Sequence, residues 1–405
     1  MAILKLMLNE FPWDERYRVP GIEQVLTPAL VIYPAFIASN IERTLALLDG
    51  NADRWRVHIK TAKLAYTIRM LMQHGVRNFK CATTLELTTA CDAGAADVLL
   101  AYPVTGANAT RVREVADQAP RTNISVLAEN DDQVTQWRGS GVGVFVDVNP
   151  GMNRTGIRVC EADRISNLIR NIESTGLEFR GLHYYDGQYG ALEEPQRTTA
   201  AHAGYDELLH LVRTVERQGL RVPELITAGT PTFPASLSYA GFGGRILHRI
   251  SPGTIVYGDS TCLAQLPGSY GYAPAALVVS RVVSHPQEDV VTCDAGHKTV
   301  SADAGVPTCV VVGHAGMNPL APSEEHLPIR VAGEPVTPVG EVLYLLPRHV
   351  CPTVNNFDSA LLVHDGRVPA VEKVSARGRE GPLLQQCHGF SHRGTASSST
   401  RFTIV

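Results

Sequence analysis

The sequence is short of the features that mark several broad protein classes. It holds eight cysteines, at 81, 91, 160, 262, 293, 309, 351 and 387, and no two form a Cys-x-x-Cys pair. That spacing argues against a disulfide framework and against a structural four-cysteine zinc site. Cationic excess is missing: 36 Lys and Arg face 40 Asp and Glu, a formal net charge of −4. Nucleic acid and anionic membrane surfaces are therefore poor partners. The longest apolar runs are strand-length, too short to span a bilayer. Met1 to Asp14 mixes Lys5, Asn9 and Glu10 into an apolar stretch without a small-residue cleavage site, so no signal peptide is expected and a cytoplasmic location is. No repeat is visible. No Gly-x-Gly-x-x-Gly follows the first strand-like run, which weakens a dinucleotide-binding reading.

What is present is a chain of 405 residues, 44 % apolar and 19 % charged, long enough for two domains or one large domain and a smaller one. Strand-like runs recur at Leu30–Tyr33, Arg56–Lys60, Phe79–Thr83, Val98–Tyr102, Ile124–Ala128, Val142–Val148, Gly181–Tyr185 and Glu224–Ala228. Most are β-branched or continuously apolar, as strands covered on both faces are. Helical spacing separates them. Eight such alternations predict a TIM-type (β/α)8 barrel, with a doubly wound open sheet as the alternative. After about residue 260 helical periodicity nearly vanishes. Runs at Ala276–Val283, Val290–Cys293, Cys309–Val312 and Val342–Leu346 follow one another through Pro/Gly turns, which predicts a mostly antiparallel β domain. The expected division is a barrel over 25–260, a β domain of 1–24 plus 261–380, and a flexible tail over 381–405.

Several stretches can carry chemistry. Lys60 ends the second predicted strand, on the face where barrels place their sites, and a desolvated amine there can form a Schiff base. A lysine paired with a surface carboxylate is the competing reading. Gly229-Thr230 and Gly253-Thr254 combine glycines with hydroxyls, a backbone arrangement that can cradle phosphate, or else make ordinary turns. His349 and Cys351, two residues apart, would share a face on an extended chain and offer imidazole plus thiolate, a donor pair suited to zinc. Arg154 can hold an anionic oxygen at the barrel mouth. Tyr185 ends the seventh predicted strand. Asp294, His297, Lys298, Ser301 and Asp303 and the run Ser323-Glu324-Glu325-His326 sit beside turns of the β domain, where solvated polar groups are the plainer explanation.

Taken in order, His58-x-Lys60-Thr61, Gly151-Met152-Asn153-Arg154-Thr155-Gly156, Gly229-Thr230-Pro231-Thr232, Pro252-Gly253-Thr254-x-x-Tyr257, Asp294-Ala295-Gly296-x-Lys298, Ser323-Glu324-Glu325-His326 and His349-x-Cys351-Pro352 resemble the D-threonine aldolase and D-serine dehydratase family. The likeness spans about Thr27 to Arg379. It implies a pyridoxal 5′-phosphate enzyme on an alanine-racemase-type barrel with a divalent metal, zinc by its donors, acting as a lyase on 3-hydroxy-D-amino acids. By that resemblance Lys60 is the catalytic Schiff-base lysine. Arg154, Tyr185, Gly229, Thr230, Gly253, Thr254 and Tyr257 contact the cofactor, and His349 and Cys351 hold the metal. The family usually has a second histidine where this chain has Ala62. A His-x-Cys pair is the dehydratase-like form, and dehydration and retro-aldol cleavage both remain open. The resemblance also implies a homodimer whose shared site draws Asp294, His297 and Lys298 toward the domain junction. The alternatives are a metal-independent racemase on the same barrel and a non-catalytic protein that only binds the cofactor.

Overall fold

The computed structural model describes residues 7–244 and 246–382. Eight parallel strands form a nearly closed barrel, consecutive in the order β2 (Arg56–His58), β3 (Asn78–Cys81), β4 (Asp97–Leu100), β5 (Asn123–Ala128), β6 (Gly143–Asn149), β8 (Phe179–Tyr184), β9 (Glu224–Thr227) and β10 (Leu247–Ile250). The two-residue β7 (Ile157–Arg158) flanks β6, and a parallel bridge between Trp55 and Ile250 joins the two ends of the ring. Helices cover the outside because their apolar residues recur on one face. In Ala162–Ser174, Ile165, Leu168, Ile169 and Ile172 are buried at helical spacing.

The barrel interior is filled in layers. At the strand starts Arg56, wholly buried, donates to Glu224 at 3.0 Å and to Asp97, while Arg180 reaches Asp97 at 2.6 Å and Arg249 pairs with Glu224. Above this ionic layer Leu99, Leu127, Phe145 and Ile226 form an apolar plug. Nearer the strand ends, Lys80, Asp147 and His183 form a second polar layer, and Lys80 Nζ lies 5.7 Å from the Tyr185 ring centroid.

The other sheet carries the order β14 (Met317–Pro319), β15 (Leu327–Val331), β12 (Val290–Cys293), β11 (Ala276–Gln287), β1 (Ala29–Ile32), β17 (Ser359–His364) and β18 (Arg367–Lys373). Its β16 (Val342–Pro347) pairs with both β11 and β13 (Cys309–Val311). All pairings are antiparallel except β1 with β17. The N-terminal stretch packs here too: Phe11 bridges Val312, and Tyr344 accepts from the Val19 amide. Among the described residues no helix is long and apolar enough to cross a membrane.

The barrel and the mostly antiparallel sheet are as the sequence led us to expect, with one correction. The first predicted strand, Leu30–Tyr33, does not open the barrel, although the expected barrel boundary at 25 placed it there. It lies in the second sheet, antiparallel to β11 and parallel to β17. The true eighth barrel strand is β10, Leu-His-Arg-Ile, which the apolar pattern concealed. Its Arg249 is polar because it answers Glu224 inside the barrel. The motif strands therefore renumber. Lys60 follows the first barrel strand, and the two Gly-Thr loops follow the seventh and eighth, where barrels commonly bind phosphate. Of the expected tail, residues 383–405 lie outside the described residues.

Candidate active site

β2 ends at His58, and the chain turns sharply over the next residues. The turn is pinned from both sides. The Ile59 amide donates to the Lys80 carbonyl at 2.8 Å, and the Tyr257 hydroxyl donates to the Ala62 carbonyl at 3.0 Å. Lys60 is thereby presented to a cavity of about 490 Å3. Lys63 is turned away, its Nζ 2.8 Å from Glu86 and 3.2 Å from the Ala376 carbonyl. Lys298 lies in an exposed pair with Glu324 at 2.6 Å. Lys63 and Lys298 thus have structural partners of their own, and among the described lysines Lys60 is the one in the cavity wall.

Around that cavity the structure gathers Tyr185, Gly229, Thr230, Gly253, Thr254, His349 and Cys351. The two Gly-Thr loops are tied to each other, the Thr254 amide donating to Thr230 Oγ1 at 3.2 Å. A Cβ on Gly253 would lie 2.2 Å from the His58 carbonyl oxygen, so only glycine lets this loop approach the lysine-bearing strand. Gly229 makes a similar approach to the Tyr185 ring, where a Cβ would stand at 2.9 Å. Arg154 stays outside the cavity wall, its guanidinium 4.6 Å from the Tyr185 ring centroid, where it orients that ring. Tyr257 does not line the cavity. It is fully buried behind the Lys60 turn, bonded to Thr67 at 2.8 Å. Asp294 is likewise absent from the wall, being held by Ser280, Thr27 and the Arg281 amide.

His349 and Cys351 meet at the cavity by a route that differs from the extended pair the spacing suggested. His349 is the extended residue that caps a short helix, Val350–Asn355, and Cys351 sits in its first turn. Asp259 fixes this helix start by accepting from the Val350 amide at 3.0 Å, and the buried Asp259 carboxyl has its pKa raised by desolvation. Thr61 links the lysine turn to the thiol, with Oγ1 3.0 Å from Cys351 Sγ. Asp303 lies 2.7 Å from His349 Nδ1. Burial works against the imidazolium of His349, yet Asp303 and the hydrogen-bonded Cys351 raise its pKa to about 10. Burial also works against the Cys351 thiolate. The His349 imidazole and the Lys60 and Thr61 side chains outweigh it and pull that pKa below the usual thiol value.

These residues fit the two groups that the sequence implies. The Gly-Thr loops line the same cavity as Lys60, and its volume lies in the range of small-molecule sites. His349 and Cys351 form a soft N/S donor pair, with Asp303 as the carboxylate that orients the imidazole. Among the described residues no group of three or more His, Cys, Asp and Glu forms a metal cage, so any ion here relies on donors beyond this pair.

The sequence reading gives no site role to Thr61, Asp259 or Asp303. Thr61 follows the lysine directly, and adjacency alone could have flagged it. Asp259 opens Asp259-Ser260-Thr261-Cys262 as a helix cap, a signal that is legible but reads as structural. Asp303 reads in the sequence only as a turn residue, because its partner lies 46 positions later.

The family model described as alanine racemase, N-terminal domain, matches residues 32–261, and a serine dehydratase domain model matches 275–363. D-threonine aldolase of an Arthrobacter species is 27 % identical over 376 residues, which cover 89 % of this chain and 95 % of the relative. 3-Hydroxy-D-aspartate aldolase of Paracoccus denitrificans is 24 % identical over 383 residues, again 89 % and 95 % of the two chains. The D-threonine aldolase structure from Filomicrobium marinum superposes with a TM-score of 0.80 at 24 % identity, covering 89 % of this chain and 98 % of that one. With more than half of its length matched, the chain belongs to the alanine racemase N-terminal domain family.

Proposed function

We propose that this protein is a pyridoxal 5′-phosphate- and divalent-metal-dependent lyase of 3-hydroxy-D-amino acids. The observation that carries the reading is the convergence on one cavity of a lysine at a barrel strand end, two Gly-Thr loops and an N/S donor pair. The relatives are aldolases and a dehydratase of such substrates, the latter the D-threo-3-hydroxyaspartate dehydratase of a Delftia species, 21 % identical. Pyridoxal phosphate, when bound, supplies an electron sink next to the substrate Cα, and a bound metal supplies a Lewis acid for its 3-hydroxyl.

The chain's own residues do the rest. Lys60 Nζ carries the covalent attachment and, once released by the substrate amine, is the base placed to take the Cα proton. Gly229, Thr230, Gly253 and Thr254 bind the phosphate through backbone amides and hydroxyls. Tyr185, backed by Arg154, forms a wall of the cavity that would hold the cofactor. His349 and Cys351 hold the metal, which their soft donors select as zinc, while Asp303 keeps the imidazole oriented. Loss of the Cα proton followed by loss of the hydroxyl yields a 2-oxo acid and ammonia after hydrolysis. Loss of the hydroxyl proton instead cleaves the carbon–carbon bond, releasing an aldehyde, and Cα keeps the electron pair and takes up a proton to give glycine.

The experiment is a panel of 3-hydroxy-D-amino acids incubated with cofactor-loaded enzyme, assayed together for 2-oxo acid, ammonia, glycine and aldehyde, with and without chelator. Product formation that chelation abolishes supports the lyase. Racemisation that survives chelation favours the metal-independent racemase, and an inert protein with bound cofactor favours a binding role. The lyase is further proposed to work as a cytoplasmic homodimer, because an open barrel mouth is best closed against water by a second chain. Sedimentation of active enzyme at micromolar concentration tests this, and a fully active monomer refutes it.

A further inference from the structure

One buried polar group has no place in the reaction as derived so far. Lys80 lies in the middle of β3, between Phe79 and Cys81, with 2 % of its surface exposed. Its Nζ is 3.4 Å from His183 Nε2 on β8, and His183 Nδ1 is 2.7 Å from Asp147 Oδ1 on β6. The second Asp147 oxygen is buried without a hydrogen-bond partner among the described residues. Three strands of the barrel thus contribute one proton-holding chain, set between the apolar plug and the cavity.

The chain has a direction. Asp147 holds the imidazole proton on Nδ1, so Nε2 presents its lone pair to the lysine, and Lys80 Nζ is the donor. A fully buried carboxylate demands a compensating cation, and Lys80 is the one that the imidazole connects to it. Lys80 also meets the cavity wall, its Nζ 5.7 Å from the ring centroid of Tyr185, which follows β8, so this chain of groups ends at the site. We infer that Lys80 is a positioning residue: its ammonium, shared through His183 with Asp147, supplies the positive field beneath the reacting carbon, and the working enzyme is the form in which this unit keeps its proton. This rests on the lyase reading given above.

The surroundings set when the proton leaves. From β2 and its turn, Arg56, His58 and Lys60 face this layer, and from the loop after β6 comes Arg154. Arg56 is committed to Asp97 and Glu224. His58 is held well below the ordinary imidazole range by burial and by Lys60 and Lys80, so it adds no charge. His183 is also held down, by burial and then by Lys80, against the pull of Asp147. Burial, followed by Lys60, Arg154 and Arg56 and opposed by Asp147, lowers the Lys80 amine to about 7. With the proton present the ammonium end lies against Tyr185 and its counter-charge, Asp147, lies on the other side of His183. Once it leaves, the carboxylate is uncompensated and a net negative charge lies under the site, which opposes negative charge developing at the substrate carbon.

The test uses the cofactor-loaded enzyme and two readouts. One is kcat and kcat/KM against pH with a turned-over 3-hydroxy-D-amino acid. The other is the absorbance of the bound cofactor against pH without substrate. Wild type should show an alkaline limb near pH 7 in both, the point at which Lys80 loses its proton. Lys80→Met should remove that limb from both readouts and lower kcat at acid pH about tenfold or more. Lys80→Arg, a permanent cation, should also lack the limb but recover rate relative to Lys80→Met. Asp147→Asn, which removes the compensating anion, should move the limb to lower pH, and it decides the matter if Lys80→Met does not fold. Loss of rate or of thermal stability with the limb unmoved means a structural role and overturns the inference. If no substrate is turned over but the spectral limb moves with Lys80, the lyase reading falls while the field beneath the cofactor stands. An unmoved spectral limb overturns the inference whatever the activity.

Discussion

His349 Nδ1 lies 2.7 Å from Asp303 Oδ2, so the imidazole that faces the cavity is oriented by a carboxylate from a turn of the second sheet. This fixes which ring nitrogen is left for a metal, and it predicts a graded response. Asp303→Ala should weaken metal affinity about 10–100-fold, whereas His349→Ala or Cys351→Ala should lose the metal outright. Cofactor absorbance should persist in all three. Metal titration followed by elemental analysis reads this, and unchanged affinity in Asp303→Ala would make that contact incidental.

Lys60 and Lys63 are three residues apart and have opposite fates. Lys60 faces the cavity, while Lys63 forms a buried pair with Glu86 at 2.8 Å. Lys60→Ala should abolish both the lysine-bound cofactor band and turnover. Lys63→Met should keep the band but cost about 3–5 kcal/mol of stability, because it strands a buried carboxylate. Borohydride reduction followed by peptide mapping decides between them, and a label on Lys63 would refute the assignment.

The residues just named were legible in the sequence for different reasons. Lys60 and the Gly-Thr loops are local motifs whose chemistry travels with adjacent residues. The sheet to which a strand belongs does not travel that way. Leu30-Val31-Ile32 looks like any barrel strand, and only pairing with Val278 and Leu361, far along the chain, places it in the other sheet. β10 was hidden for the converse reason, since Arg249 breaks the apolar run to meet Glu224. Lys80 and His183 are 103 residues apart, and no window of sequence joins them.

The Gly253 loop offers a test of the proposed phosphate site that leaves every titratable group in place. Its backbone is not left-handed, so alanine is tolerated conformationally, but the new Cβ would stand 2.2 Å from the His58 carbonyl. The loop must move away from the lysine-bearing strand, at a cost of about 1–3 kcal/mol. Gly253→Ala should therefore weaken cofactor affinity, read by titrating apoenzyme, while Gly141→Ala, outside the cavity wall and with nothing within 4 Å of its new Cβ, should not. Equal affinity in wild type and Gly253→Ala would remove this loop from the cofactor's binding site.

The ionic layer at the barrel floor sets the acid limit of the fold. Desolvation favours the neutral Asp97 carboxyl, but the buried Arg56 and the neighbouring Arg180 outweigh it and hold its pKa below the ordinary value of 3.8. A carboxyl lowered on folding binds fewer protons in the native state than in the unfolded one. Its contribution is therefore present in full above the unfolded value and is lost as pH falls through the folded one. Stability should drop from about pH 4 downward, with midpoint urea concentration falling as Asp97 and Arg56 part. Asp97→Asn should cost about 3–5 kcal/mol at neutral pH, since it leaves Arg56 with one carboxylate fewer in a buried site. The same variant should show a shallower decline in acid, because the group that titrates is gone. Urea melts of both proteins from neutral pH down to about pH 2.5 measure this. Parallel acid slopes in the two proteins would assign the acid limit to other carboxyls.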